Sequence, residues 1–162
     1  MKPDIIDQLF AKYYNEALLY TISLCNNKTI AEDIVSTAFF KALSSADDEI
    51  LNFKPWLLTV CRNEFISLCR KNKRFSDDEI PEDMTDDSQE VADSIIQKEE
   101  YQALYHAISL LKPEQRECIT LFYFSGLSVR DIAVITDKSE ANIKVLLHRG
   151  REKLKQLMEE FK

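Results

Sequence analysis

Glycine is nearly absent from this sequence, since only Gly126 and Gly150 occur among its 162 residues. A P-loop and a dinucleotide-binding fingerprint each require several glycines within a few residues, because only glycine lets the backbone approach a phosphate group closely. The sequence therefore excludes the enzymes that hold phosphates in such loops.

Cysteine and histidine are scarce and scattered. The four cysteines form no CxxC pair, and neither histidine stands at the spacing of a metal ligand. We expect reduced thiols that act as small buried hydrophobic groups, at Cys25, Cys61, Cys69 and Cys118. A redox switch is the alternative, because Cys61 and Cys69 would share one helix face. The sequence predicts no metal site, no cofactor and no enzyme, since no catalytic constellation can be assembled.

Long apolar runs are also missing. The run from Ala17 to Cys25 is much shorter than the roughly 20 residues that span a bilayer as a helix. Asp4 and Asp7 fall where a signal peptide needs uninterrupted apolar residues. We therefore expect a soluble protein of the cytoplasm.

The formal net charge of −7 argues against a nucleic-acid partner until it is divided among segments. Residues 1–74 carry a net charge of +1, residues 75–100 carry −10 and residues 101–162 carry +2. The acidic stretch contains a proline, serines and few apolar residues, which is typical of a flexible linker. We expect two small domains, 1–74 and 101–162, joined by an acidic linker over 75–100.

Apolar residues recur at three- and four-residue spacing on both sides of this stretch, which predicts an all-α fold. Thr29 and Glu32 have the spacing of a capping box, which predicts a helix start at Thr29. Asn52 is the predicted N-cap of a third helix, in which Pro55 is tolerated within the first turn. Pro113 and Gly126 delimit a further helix.

Residues 129–148 have the pattern of a helix-turn-helix. Ser128 and Ser139 are the predicted N-caps, and Asp137 stands in the turn, where it tolerates a left-handed conformation. The two helices are predicted to be locked together by Ile132, Ala133, Ile143 and Leu146. The second helix is predicted to present to solvent Asn142, Lys144, Val145, His148, Arg149 and Arg151. Residues 144–155 carry a net charge of +4, which suits the DNA major groove and its phosphates. A helical hairpin with a solvated basic face is the alternative.

A second basic cluster lies in the first half, where residues 62–74 also carry a net charge of +4. Phe53 and Trp56 precede it and are able to stack on unpaired bases. The alternatives are a helix C-terminus that complements its dipole and a tryptophan that belongs to the core. Two basic sites on two domains fit a protein that reads two DNA elements.

In chain order, AEDIVSTAFFKAL, FKPWLLTVCRNEFISLCRKNKR, the acidic linker and LLKPEQRECITLFYFSGLSVRDIAVITDKSEANIKVLLHRGREKLKQL resemble a bacterial extracytoplasmic-function sigma factor over nearly the whole chain. The resemblance implies a two-domain, all-helical transcription initiation factor. Residues 1–74 would be sigma region 2, which binds core RNA polymerase and reads and melts the −10 element. Residues 101–162 would be sigma region 4, whose helix-turn-helix reads the −35 element.

The resemblance also implies roles for individual residues. Asp33 and Phe39 match polymerase-binding positions, and the loop SSADDEILN falls where the family captures a flipped −10 base. In the −10 and melting segment, Trp56 and Asn63 match family positions. The basic cluster and its neighbouring aromatic residues add Phe53, Arg62 and Arg70 to the predicted −10 and melting set. The implied −35 face includes Lys144, Val145, His148 and Arg149. The implied partners are core RNA polymerase, promoter DNA and a cognate anti-sigma factor, with no membrane insertion and no small-molecule substrate.

Two other functions fit the same helices. A transcription regulator would combine this helix-turn-helix with an unrelated N-terminal sensor, and a helical adaptor would sequester a partner protein without touching DNA. Stable association with core polymerase separates the first alternative from a sigma factor. Salt-dependent DNA affinity separates the second.

Overall fold

The computed structural model describes residues 2–45, 52–75 and 92–160. Within these ranges the chain is helical and contains no strand, which confirms the predicted all-α class. The long helices are α1 (Pro3–Cys25), α2 (Lys28–Leu43), α3 (Phe53–Phe75), α4 (Glu99–Ser109), α5 (Pro113–Tyr123), α6 (Val129–Thr136) and α7 (Glu140–Glu160). In the same ranges, none of the helices combines the length and apolar character that crossing a bilayer requires.

The chain divides into two compact units, Met1–Ser88 and Gln89–Lys162. In the first unit α1, α2 and α3 pack against one another in all three pairs. Its core contains fully buried side chains from each helix, such as Tyr20, Val35 and Leu57. Burying side chains of this size stabilises the unit by roughly 1.5–3 kcal/mol each, so the amphipathic spacing of the sequence accounts for the bundle.

The start of α2 differs from the prediction. Asn27 is the N-cap, and its side-chain oxygen accepts a hydrogen bond from the Ile30 amide at 3.0 Å. The capping box predicted at Thr29 is therefore wrong, because Thr29 already lies inside the helix. α1 ends at Cys25, and Asn26 takes a left-handed φ of 52° there, which leaves Asn27 in the extended conformation of an N-cap.

The start of α3 agrees in position but not in conformation. The Asn52 carbonyl accepts from the Trp56 amide at 3.3 Å, so Asn52 directly precedes the helix as predicted. Its φ of 57° is left-handed, unlike the extended backbone of an ordinary N-cap. Of the preceding loop SSADDEILN, residues 46–51 lie outside the described residues.

The predicted linker over 75–100 overlaps both units. Residue 75 belongs to α3, and at the other end Ala92 and Ile96 are buried in the second unit ahead of α4. These apolar side chains extend the folded unit N-terminally beyond the predicted start at residue 101. The most acidic part of the linker, residues 76–91, lies outside the described residues.

In the second unit α7 packs against α4, α5 and α6. Pro113 begins α5 as predicted, and Gly126 follows its end with a positive φ of 64° that favours glycine. Gly150 lies inside α7, where a Cβ atom would stand 2.8 Å from Cγ1 of Ile119 in α5. The second glycine of the chain therefore allows α5 and α7 to approach closely.

Candidate nucleic-acid interface

Three predicted residues determine the local structure of the helix-turn-helix: two serines that cap its helices and an aspartate in its turn. The Ser128 hydroxyl accepts from the Asp131 amide at 3.1 Å and begins α6. Asp137 ends that helix with φ 55° and ψ 45°, the left-handed conformation expected in the turn. The Ser139 hydroxyl accepts from the Asn142 amide at 3.1 Å and begins α7. All three predictions are confirmed.

The four apolar residues that the sequence predicted to lock the two helices together are all buried. Ile132 and Ile143 are fully buried, and Ala133 and Leu146 are 8% and 6% exposed. α7 buries this side where it packs against the other helices of the unit, and its opposite face is left to solvent.

The exposed face of α7 carries every residue that the sequence proposed for reading duplex DNA. All six side chains are exposed: Asn142, Lys144, Val145, His148, Arg149 and Arg151. Apart from Val145, these side chains form two rows, since side chains three, four or seven residues apart lie on one side of a helix. One row contains Lys144, His148, Arg151 and the exposed Lys155, and the other contains Asn142, Arg149 and the exposed Lys153.

Val145 lies between the two rows, three residues before His148 and four before Arg149. Its side chain is 43% exposed. In its N-terminal half the face thus has an apolar centre, formed by Ala141 and Val145, with polar and cationic side chains along both edges, and the exposed Glu152 follows on the central line seven residues after Val145. This arrangement matches a major groove, where base edges lie at the centre and a phosphate strand runs along each side.

Arg151 is held by aromatic side chains of α5. Its Nε donates to the Tyr123 hydroxyl at 2.9 Å, and its guanidinium carbon lies 5.2 Å from the Phe122 ring centroid and 5.8 Å from that of Tyr123. Sequence reasoning missed Tyr123, because the residue stands 28 positions before Arg151 and only the packing of α5 on α7 brings them together.

In the first unit, three of the residues proposed for melted DNA share one line on α3. Trp56, Asn63 and Arg70 are spaced by seven residues, and the structure leaves Trp56 partly exposed and the other two exposed. Arg62 is half-buried on a different side of the helix.

Phe53 does not belong to an exposed stacking surface. Its ring is 7% exposed and lies 5.8 Å from Tyr13, 6.0 Å from Phe39 and 5.7 Å from Trp56, measured between centroids. The proposal that Phe53 stacks on a base is corrected, because three neighbouring rings enclose it. Its place is beneath Trp56, which it supports.

Of the two residues proposed for polymerase contact, one is exposed and the other is buried. Asp33 is exposed beside a groove that also contains Ile34, Thr37 and Leu68. Phe39 is 5% exposed and packs on Phe10 at 5.0 Å, so its direct contact with a partner is corrected to a core role.

Phe40 is the aromatic residue that α2 presents to solvent, with 67% exposure. It stands seven residues after Asp33 and shares that face, opposite the buried side of the helix. The apolar residues Ile34, Val35, Ala38 and Ala42 recur at helical spacing and mark the buried side of α2. The same spacing places Phe40 on the exposed side, so its exposure could have been predicted from the sequence.

The thiols lie in apolar surroundings. None of the four cysteines forms a disulfide bond, and three of them are buried while Cys69 is partly exposed. Burial raises the pKa of the Cys61 thiol to about 12, so this thiol stays protonated and unreactive near neutral pH. Across the part of the chain that the structure describes, no three His, Cys, Asp or Glu side chains group in a way that could hold a metal ion.

These features define a class. The chain has two helical units. The second contains a helix-turn-helix whose last helix presents an exposed face with cations along its edges. This arrangement is typical of a DNA-binding transcription factor of the helix-turn-helix type.

Comparisons with known proteins narrow the class further. The model of sigma-70 region 2 matches residues 9–75, and the model of sigma-70 region 4 matches residues 101–154. The extracytoplasmic-function (ECF) RNA polymerase sigma factor SigM of Bacillus subtilis is 34% identical, covering 94% of both chains. SigW of the same organism is 31% identical, covering 98% of this chain and 89% of its own.

A solved structure gives the same result. The sigma factor RpoE from Bartonella quintana, crystallised in complex with the anti-sigma factor NepR, superposes with a TM-score of 0.69 and 27% identity. The match covers 94% of this chain and 96% of the other.

The chain belongs to the ECF sigma factors of the sigma-70 family. It is a transcription initiation factor that directs core RNA polymerase to promoters. The region 2 match over residues 9–75 rules out an unrelated N-terminal sensor, and family membership excludes an adaptor that never touches DNA.

Proposed function

We propose that residues 101–162 read the −35 element by placing α7 in the major groove. The observation that carries this proposal is the exposed face of α7, where Val145 lies between two rows of polar and cationic side chains. Lys144, His148 and Arg149 make the base contacts in this proposal, and Asn142 and Arg151 flank them. Phosphate contacts set the position of the helix, and the base contacts give the sequence preference.

Residues 1–74 bind core polymerase and hold the melted −10 element. Trp56 stacks on an unpaired base, while Asn63 and Arg70 follow the strand along the same line of α3, with Arg62 at its side. The face of α2 that carries Asp33 and Phe40 contacts polymerase. Phe39 and Phe53 support these surfaces from the core. Residues 75–100 join the two domains.

Melting requires polymerase as well as this chain. Opening DNA costs about 1.4 kcal/mol per base-pair step, and stacking one base on an aromatic ring returns about 1–3 kcal/mol. A single tryptophan therefore stabilises an opened step or two, and the contacts of the polymerase complex supply the remainder.

The chain also has a regulatory partner and a place of action in this proposal. The Bartonella sigma factor is crystallised with an anti-sigma factor, and by analogy an anti-sigma factor binds this chain. The protein acts in the cytoplasm, together with the polymerase and the chromosome. It has no catalytic activity of its own.

The experiment is run-off transcription by core polymerase with the full chain on a library of genomic fragments. Arg149→Ala is compared with the wild type and with Lys112→Ala, which removes an exposed cation at the start of α5. If Arg149 binds a guanine through two hydrogen bonds, its loss relaxes discrimination at one −35 base pair by about 5- to 150-fold. Lys112→Ala keeps the wild-type preference. An unchanged −35 preference in Arg149→Ala would refute the assignment of α7.

A further inference from the structure

Arg151 and Tyr123 form a pair that the −35 proposal does not explain. Arg151 lies in the row of Lys144, His148 and Lys155, at one edge of the exposed face of α7. Tyr123 is the last residue of α5, and 47% of it is exposed beside that edge. The pair is joined by the 2.9 Å hydrogen bond from Arg151 Nε to the tyrosine hydroxyl.

The chemistry of the pair suits an anion with several oxygens. The Arg151 guanidinium uses Nε toward Tyr123, and the N–H groups on its two terminal nitrogens take no part in that bond. The Tyr123 oxygen accepts from Arg151, and its own O–H proton can be donated to a second acceptor. A phosphate oxygen accepts from both guanidinium and tyrosine, and both are common donors to the DNA backbone.

The packing beneath the pair fixes its geometry. Phe122 and Tyr123 contact each other edge to face at 5.1 Å, and the guanidinium lies over both rings within 6 Å of their centroids. Gly150, the residue before Arg151, is the point where α7 passes close to Ile119. Ile119 stands one helical turn before Tyr123, so the close approach of the helices lies directly below the pair.

We propose that Tyr123 is a positioning residue for DNA binding, and that Tyr123 and Arg151 together form a phosphate-binding site at one edge of the −35 reading helix. An arginine side chain has many rotamers, and a contact with DNA restricts them. Tyr123 restricts them before DNA binds, and it adds a second donor to the same phosphate. This inference rests on the proposed function of α7 in reading duplex DNA.

The test is run-off transcription by core polymerase with full-chain variants on promoters recovered from the genomic library. The half-saturating concentration of the sigma–polymerase complex is measured on promoters that differ in their −35 sequence, at several salt concentrations. The variants are Tyr123→Phe, Arg151→Ala, Arg151→Lys and the double variant Tyr123→Phe/Arg151→Ala. Tyr101→Phe is the matched control, since Tyr101 is a tyrosine of the same unit with 48% exposure.

We expect Tyr123→Phe to raise the half-saturating concentration by about threefold, equally on every promoter, because a backbone contact carries no sequence information. Arg151→Ala raises the half-saturating concentration further. It also lowers the salt dependence of binding by the amount expected for the loss of about one phosphate contact. Arg151→Lys keeps the charge and the salt dependence but loses the bond from Nε, so it resembles Tyr123→Phe. Tyr101→Phe has no effect.

The decisive comparison is the double variant. Because part of the action of Tyr123 passes through Arg151, Tyr123→Phe has a smaller effect once Arg151 is alanine than it has in the wild type. An equal effect of Tyr123→Phe in both backgrounds, or no effect in either, overturns the inference. Melting temperatures of all variants are compared, since a loss of folding would lower them and a loss of positioning would not.

Failure of this inference is distinguishable from failure of the proposed function. If Arg149→Ala changes the −35 preference while Tyr123→Phe does nothing, only the phosphate site is wrong. If Arg149→Ala leaves the preference unchanged, the role of α7 is wrong, and the phosphate site is rejected with it.

Discussion

Replacing Gly150 by alanine tests how tightly α7 is packed against α5. The new Cβ would stand 2.8 Å from Cγ1 and 3.1 Å from Cδ1 of Ile119, whereas carbon atoms in favourable contact are about 3.5–4.0 Å apart. Ile119 is fully buried, and its branched Cβ restricts the rotamers by which it could withdraw. Overpacking of this kind costs about 1–3 kcal/mol, while alanine returns about 1 kcal/mol of helix propensity. We therefore expect a net loss of about 1 kcal/mol, which lowers the melting temperature of a unit this small by roughly 4–8 °C.

The assay is thermal unfolding of the full chain, followed by far-UV circular dichroism and by tryptophan fluorescence. The chain has one tryptophan, Trp56, and it lies in the first unit. Its fluorescence therefore serves as an internal control that Gly150→Ala leaves unchanged, while the dichroism shows the earlier unfolding of the second unit. Gly126→Ala isolates the backbone cost, since that glycine has a φ of 64° and no atom within 4 Å of its Cβ position. If Gly150→Ala raises the melting temperature, helix propensity dominates and Ile119 is free to move, which refutes the argument.

Two further predictions concern the first unit, and both are measured by urea unfolding followed at Trp56. Asn27→Ala should cost about 1 kcal/mol of stability by removing the N-cap of α2, whereas Thr29→Ala should cost only a few tenths; equal effects would contradict the assignment of the cap. The pKa of Cys61 is raised from 9.0 to about 12 by burial, so the folded state keeps a proton that the unfolded state loses between these values. Stability should fall by up to about 1.4 kcal/mol per pH unit as the pH rises through that interval, and Cys61→Ala should reduce this slope; an unaltered slope would show that other groups cause the loss.

The helix-turn-helix could be predicted in detail because its determinants are local. Ser128 and Ser139 cap helices that begin within three residues of them, and Asp137 accepts a conformation that few residues tolerate. The residues that face solvent on α7 also follow from the helical period alone. None of these features depends on a distant part of the chain.

The start of α2 was missed because several residues compete for one role. Asn26, Asn27 and Thr29 are all able to cap a helix, and the sequence pattern favoured Thr29 through its partner Glu32. The choice is made by the end of α1, whose left-handed Asn26 reverses the chain and leaves Asn27 at the N-cap.

The aromatic residues of the first unit show a second limit of prediction from the sequence, which concerns the direction of individual side chains. Phe39 and Phe53 stand in segments that match polymerase-binding and −10 segments of the family, yet the structure encloses both rings among others. A short motif identifies a segment, but the direction of each side chain depends on which face the other helices cover. The bond between Arg151 and Tyr123 is a still clearer case, because it exists only once α5 and α7 have packed.

The division of α7 into a buried face and an exposed face has a consequence for how promoter preference can change over evolution. The residues that fold the unit, Ile143, Leu146, Leu147 and Leu154, are distinct from the residues that face solvent. Substitutions on the exposed face usually alter stability by less than about 0.5 kcal/mol. A duplicated copy of this chain is therefore able to acquire a new −35 sequence by a few surface substitutions, without an intermediate that fails to fold.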